Sequence, residues 1–311
     1  MLIKKGSKGR EVTEVQTLLK FHGFWSLDKI TDNFGDITEK AVIEFQKARG
    51  LEVDGVVGND TMAELQEGFD SSVDNKDKAK WKKDTDNKVA MLGEYTSPVG
   101  LKIVKAYLDT DEYVQDYGKI NPQWFFIHHT AGGSNPISVI SQWNTDTRGR
   151  VGTQYCIGGI SSKNDKTYDG VVVECFPDHY IGWHLGKVDN FDMSKLSVGV
   201  EINNWGCLEK RGDKYYNYVN QEVPKEQVCD LGYKFKGKQY WHSYTDAQIA
   251  SLELLFNHIK RIYPTIQISK GLPELLRNGM HPADAFAFMD DVCKGKLRGT
   301  WTHTNVRKDK M

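Results

Sequence analysis

The run Gln123-Trp-Phe-Phe-Ile-His-His-Thr-Ala-Gly-Gly133 constrains this chain most. Four large apolar residues, Trp124 to Ile127, followed by a Gly pair read as a buried strand that ends in a loop. His128 and His129 then sit where the strand hands over to the loop, at the rim of a sheet. A rigid strand end beside an open loop suits a metal ligand in an α/β protein. Adjacent strand residues point to opposite faces, so the two histidines do not easily share one ion. One is expected to face a site and the other to pack or orient. A pair of rim histidines with no ligand role is the alternative that this run alone leaves open.

The rest of the composition narrows the choice. A chain of 311 residues has room for two domains, and 39% hydrophobic with 11% aromatic residues supplies a core. A net charge of -1 gives no reason to expect nucleic acid or an anionic membrane surface. No apolar run approaches a membrane span, and the first ten residues have no apolar signal segment. Cys156, Cys175, Cys207, Cys229 and Cys293 are odd in number and lack CxxC spacing, which fits free thiols from a reducing compartment.

Residues 1–69 read as a small all-α domain of three helices. Val12, Val15 and Leu19 share one helical face, and Gly23 ends that helix; Ala41, Val42 and Phe45 line a second that ends near Gly50. A third is expected to start at Thr61, which has capping-box spacing to Glu64. Gly35-Asp-Ile-Thr38 and Gly58-Asn-Asp-Thr61 echo one another, each a Gly turn before a Thr able to cap. Residues 70–95 begin with a polar, charge-mixed stretch and read as a linker. Residues 96–311 read as an α/β domain, a mixed central sheet flanked by helices. Its strands fall at Trp124–Ile127, Tyr155–Ile157, Val171–Phe176 and Leu196–Ile202. Helices are expected after Asn135-Pro136, an N-cap followed by Pro, and after Thr245, which has capping-box spacing to Gln248.

Two resemblances follow from these residues. Lys5-Gly-Ser-Lys-Gly9, Val15-Gln16, Phe34-Gly35, Thr38, Ala41-Val42, Phe45-Gln46 and Val53-Asp-Gly-Val-Val-Gly58 resemble the peptidoglycan-binding domain 1 family, which implies binding to cell-wall glycopeptide. Phe126-Ile-His-His-Thr-Ala131, Gly182-Trp-His-Leu-Gly186, Ser197-Val-Gly-Val-Glu-Ile202, Thr302-His303 and Arg307-Lys-Asp-Lys310 occur in the order found in the amidase 2 family, zinc-dependent N-acetylmuramoyl-L-alanine amidases that share a fold with peptidoglycan recognition proteins.

The second resemblance implies His128 and His303 as Zn2+ ligands, with Trp183 and His184 in the wall of a substrate groove. Thr130 and Tyr155 are further substrate-contact candidates. Glu201 matches the position of a catalytic glutamate; Thr153 stands where other members carry a Tyr, which favours Glu201. Lys310 matches a lysine that lies two residues before a third ligand, Asp or Cys. That ligand is expected one residue past Met311, so the amidase domain reads as cut short, with Asp309 as an in-chain substitute and the segment from about Trp301 loosely ordered. His281, beside Asp284, is the rival to His303.

The implied function is hydrolysis of the amide between N-acetylmuramic acid and the stem-peptide L-alanine, by a monomer whose partner is bacterial peptidoglycan. A wall-binding module without an export signal suggests a phage endolysin held in the host cytoplasm until release. A non-catalytic wall-binding protein, or a zinc peptidase cutting elsewhere in the stem, are the alternatives.

Overall fold

The computed structural model describes residues 2–25, 27, 30–66, 89–109, 112–113, 121–147, 149–186 and 193–310. Two units separate, Met1–Thr85 with Met91–Glu94, and Asp86–Ala90 with Tyr95–Met311. Most of the expected linker lies outside the described residues, as do 67–69 of the first domain. The linker's last residues do not fit that reading, because Ala90–Thr96 forms a strand, β1.

In the first unit three helices, α1 (Arg10–Phe21), α2 (Asp36–Arg49) and α3 (Asn59–Gln66), close over Val12, Val15, Leu19, Phe34, Val42, Phe45 and Leu65. The Gly-to-Thr echo is real but its chemistry differs from the expectation. Thr38 lies inside α2, and α3 begins two residues before Thr61, so neither threonine is an N-cap. Each instead accepts a hydrogen bond from a buried glutamine. Gln16 Nε2 donates to Thr38 Oγ1 at 2.9 Å, and Gln46 Nε2 donates to Thr61 Oγ1 at 3.2 Å. The same two amides also donate to the Asn33 and Val56 carbonyls, at 3.1 and 3.0 Å. Buried amides satisfied in this way fix one helix against the turn that starts the next.

The second unit is built on a seven-stranded mixed sheet in the order β1-β2-β5-β4-β6-β3-β12. Its strands are β1, β2 (Lys102–Tyr107), β5 (Val172–Glu174), β4 (Tyr155–Ile157), β6 (Ser197–Ile202), β3 (Trp124–His129) and β12 (Gly299–Thr302). β3 runs parallel to both β6 and β12, and β4 parallel to β6 and antiparallel to β5. Strand alternation sorts the side chains. Phe125, Val198, Val200, Ile202, Tyr155 and Ile157 pack with Leu255 and Ile259 of helix α5 (Asp246–Ile262). Trp124, Phe126 and Trp301 pack on the other face, with Leu185, Leu272 and Val292.

Both helix caps expected in the second unit are present. Asn135 Oδ1 accepts from Ile137 N at 2.9 Å at the start of α4 (Pro136–Trp143), and Thr245 and Gln248 form a reciprocal capping box on α5. Among the described residues no helix is long and apolar enough to cross a membrane.

Between β6 and α5 lies a second, five-stranded sheet that the sequence reading did not anticipate. β7 (Cys207–Arg211), β8 (Lys214–Tyr216), β9 (Glu222–Val223), β10 (Val228–Phe235) and β11 (Lys238–His242) pair in the order β10-β11-β7-β8-β9. All of its pairs are antiparallel. It has a small core of its own, Leu208, Tyr215 and Val223 with Trp205, Val228 and Tyr240. The β10–β11 turn is Lys236-Gly237, both with positive φ, the conformation that matches the twist of a two-residue hairpin.

The segment from Trp301 is not loose. All four residues of β12 are buried at the sheet edge, and a short helix α9 (His303–Val306) follows directly. Asn305 holds it, donating to the carbonyls of Ala285 and Ala287 at 2.8 and 2.9 Å. Pairing of β12 with β3 thus fixes His303 beside His128 through backbone geometry.

Candidate active site

The C-terminal ends of β3, β6 and β12 border a cavity of about 980 Å³. His128, Thr130, His184, Glu201, His303, Asp309 and Lys310 line it, with the β3–α4 loop and one side of α4. His128 and Glu201 are register partners on adjacent parallel strands, so alternation sends both side chains to the same face.

The histidines form a chain of ring contacts. Ser197 Oγ lies 2.9 Å from His184 Nε2, His184 Nδ1 lies 3.0 Å from His128 Nε2, and His128 Nδ1 lies 3.0 Å from His303 Nδ1. His303 Nε2 is 3.3 Å from the Leu185 carbonyl. Burial keeps these rings neutral: it pushes His184 down to about 3, His303 down to about 4, and His128 well below the usual histidine value.

Neutrality fixes the tautomers, since each ring then has one donor and one acceptor. Ser197 Oγ spends its proton on the Met193 carbonyl at 2.8 Å, so His184 Nε2–H must donate to Ser197. His184 Nδ1 therefore accepts, and His128 Nε2–H donates to it. His303 Nε2–H donates to Leu185 O, a group that only accepts. His128 Nδ1 and His303 Nδ1 are both left with lone pairs, 3.0 Å apart and unable to bond one another. Two lone pairs converging in a buried site fit a cation between them. Zinc–imidazole bonds of about 2.0–2.1 Å at a tetrahedral angle span about 3.3 Å, so the rings need part by only a few tenths of an ångström.

His128 rather than His129 faces this point, as alternation implies. His129 turns toward Gly206, where an added Cβ would come within 2.9 Å of its Nε2. Gly199 explains the Ser197-Val-Gly-Val-Glu spacing. It lies one pleat before Glu201 on the same face, and a Cβ there would meet His184 Nδ1 at 2.9 Å and Thr153 Cγ2 at 3.0 Å.

Glu201 is raised to about 8 by burial, against an opposing pull from the Lys310 ammonium. Lys310 lines the cavity, and its carbonyl accepts a hydrogen bond from Lys236 at the β10–β11 turn, so the second sheet anchors the segment that carries it. Thr153 gives its hydroxyl proton to the Tyr155 carbonyl at 2.7 Å, a structural role. Thr130 also lines the cavity, where its Oγ1 accepts from Asn204 N at 3.2 Å.

Three sequence expectations are corrected here. Tyr155 is not a substrate contact: it is wholly buried on the α5 face, and its hydroxyl donates to Asp178 at 3.0 Å. Trp183 does not line the cavity. Its neighbour His184 does, while the Trp183 ring has Lys195 Nζ 5.9 Å from its centre. Asp309 is not a free ligand: both its oxygens accept from Arg307, at 2.7 and 2.6 Å, which holds the carboxyl well below the usual range. Among the described residues no three His, Cys, Asp or Glu side chains form a metal cluster. His281, the rival ligand, caps a separate short helix (Pro282–Ala285) and lies tilted against Tyr233 with ring centres 4.7 Å apart.

Residues 118–271 match the N-acetylmuramoyl-L-alanine amidase family, and residues 8–65 match the putative peptidoglycan binding domain family. The amidase match ends before His303, whose place in the site rests on the convergence described above. A spore cortex-lytic enzyme of Bacillus cereus is 38% identical over 77 residues, 24% of this chain and 29% of that enzyme, so the match spans less than a third of the relative. The SleB N-terminal domain is 37% identical, with a TM-score of 0.21, covering 22% of this chain and 92% of that one. The endolysin N-acetylmuramoyl-L-alanine amidase LysCS of Clostridium intestinale is 14% identical, with a TM-score of 0.32, covering 66% of this chain and 83% of that one. Over residues 118–271 the chain is similar to the N-acetylmuramoyl-L-alanine amidase family, and over residues 8–65 to the putative peptidoglycan binding domain family.

Proposed function

We propose that this chain hydrolyses the amide joining N-acetylmuramic acid to the L-alanine of the peptidoglycan stem peptide, with zinc held by His128 and His303. The observation that carries the reading is the convergence of two Nδ1 lone pairs in a cavity that also contains Glu201 and Lys310. When bound there, zinc supplies Lewis acidity and lowers the pKa of a coordinated water to about 7.

The remaining work falls to the chain. In its ionised form Glu201 accepts a proton from the attacking water on one oxygen and returns it to the leaving L-alanine nitrogen. Lys310 offsets negative charge as it grows on the amide oxygen. Ser197 and His184 keep the His128 Nδ1 lone pair turned into the cavity. The module over residues 8–65 holds the chain on its polymeric substrate.

Digestion of purified muropeptides, followed by mass spectrometry, tests the reading. Free N-acetylmuramic acid ends with new L-alanine amino termini are expected, abolished by a chelator, and reduced on the order of 10²-fold or more in Glu201→Gln. Cleavage within the stem peptide would assign a peptidase instead. Absence of any cleavage, with binding retained, would favour a non-catalytic wall-binding protein. The pairing of both Asp309 oxygens with Arg307 favours that second reading.

A further inference from the structure

The second sheet places an aromatic corner at the cavity that the hydrolytic groups do not use. Trp205, Tyr218 and Val219 all line the cavity. Tyr218 is 66% exposed and Val219 47%. A lone exposed apolar residue needs no explanation, but adjacent ones at a cavity rim beside a tryptophan mark a contact surface. The two rings meet at 62° with centroids 6.0 Å apart, Trp205 half-buried against the small core of this sheet and Tyr218 exposed.

The loop that carries Tyr218 is held in shape without a ligand. Asn217 Oδ1 accepts from Val219 N at 3.1 Å and from Gln221 N at 2.9 Å, and Arg211 donates to Asn220 Oδ1 at 2.9 Å. A pre-ordered aromatic loses little freedom on binding. Among the described residues neither the Trp205 indole N–H nor the Tyr218 hydroxyl has a hydrogen-bond partner. The side chains of Ser134, Ser138 and Gln142, which line the same cavity, also have none. Among the described residues the charged side chain in this part of the lining is acidic, Asp146; Lys310 lies with the histidines.

Flat apolar faces ringed by uncharged donors and acceptors fit a pyranose, whose ring C–H groups form an apolar face and whose hydroxyl and acetamido groups project from its edge. An acidic stem peptide would instead call for cations. We infer that Trp205 and Tyr218 form a sugar subsite in which a ring of the glycan stacks while the adjoining amide lies at Glu201. The inference rests on the proposed amidase reading and adds the sugar specificity of its site.

The test uses the full chain and soluble fragments: a disaccharide-peptide, and the same peptide carrying a lactoyl group in place of the sugars. Affinity is read as KM, or as Ki for a fragment that is not cleaved. Tyr218→Ala is expected to weaken the disaccharide-peptide on the order of fivefold or more, with kcat little changed and the lactoyl-peptide unaffected. Tyr218→Phe keeps the ring and should restore most of the affinity. Equal affinity of Tyr218→Ala and the parent for the disaccharide-peptide would overturn the inference. So would an equal loss on both fragments, which would mean that the ring contacts peptide. The identity of the cleavage products judges the amidase reading separately, since the subsite is scored only on the difference between fragments.

Discussion

Ser197→Ala is expected to weaken zinc binding without removing a ligand. The hydroxyl accepts from His184 Nε2 at 2.9 Å, and His184 is only 6% exposed. Deleting it takes the side-chain acceptor from a buried N–H and leaves it only the Ser197 backbone, which costs at most ~1–3 kcal/mol. The chain can escape that cost by moving the His184 proton to Nδ1. His184 then donates to His128 Nε2, and the His128 proton moves to Nδ1, where the metal-facing lone pair had been. Binding must first reverse this shift, so the loss is bounded by the cost of the stranded N–H, about 5- to 160-fold in Kd. Losses of 10–100-fold are typical when a group behind a metal ligand is removed. Chelator-competition titration near neutral pH measures the difference, with circular dichroism checking the fold. Ser197→Thr retains a hydroxyl and should bind more tightly than Ser197→Ala. Identical zinc affinity in the parent and Ser197→Ala would refute the tautomer relay.

Gly199→Ala should lower zinc affinity and activity together, because its Cβ would lie 2.9 Å from His184 Nδ1; unchanged values would show that the ring moves freely. Asp309→Asn should change zinc affinity less than about threefold, well under the steep loss of a true ligand, because Arg307 already occupies both oxygens; steep loss would restore Asp309 to the ligand set. The metal-free chain should lose stability as pH falls from about 6.5 toward 4. Below the unfolded histidine value near 6.5 the unfolded chain takes up protons that His184, His242 and His303, lowered to about 3, 4 and 4, refuse when folded. Each ring contributes a slope of up to ~1.4 kcal/mol per pH unit, and urea unfolding that is flat across this window would contradict the burial of these rings.

Much of the site was legible because it depends on local pattern. An apolar run closing on two histidines gave the strand end, and the period of two chose His128 over His129. The caps at Asn135 and Thr245 were readable because capping chemistry acts over three residues. Tyr155 was misread although a signal existed: Ile157 lies two residues on, and the shared parity puts both on the apolar face. Thr153 escapes that parity because β4 begins only at Tyr155. Trp183 and His184 both rest on the resemblance alone, and of the two only His184 lines the cavity. The glutamine-to-threonine bonds of the first unit were hidden, since a Thr at a helix start reads as a cap unless its tertiary partner is known.

The second sheet left weak signals, Lys236-Gly237 and Arg211-Gly-Asp213 between aromatic-rich runs, which a search for hairpins would have found. The order of the C-terminal segment was invisible to composition, because it comes from β12 pairing with β3, a contact between distant parts of the chain.

The central claim is that His128 and His303 present their Nδ1 lone pairs to one cation. Nitrogen-15 spectra of the histidine side chains, recorded while zinc is added, test it most directly. Large shifts are expected at Nδ1 of His128 and His303, with protons retained on Nε2 of both rings and no change at His129 or His281. Coordination through Nε2, or zinc-dependent shifts at His129 or His281 in place of His303, would contradict it.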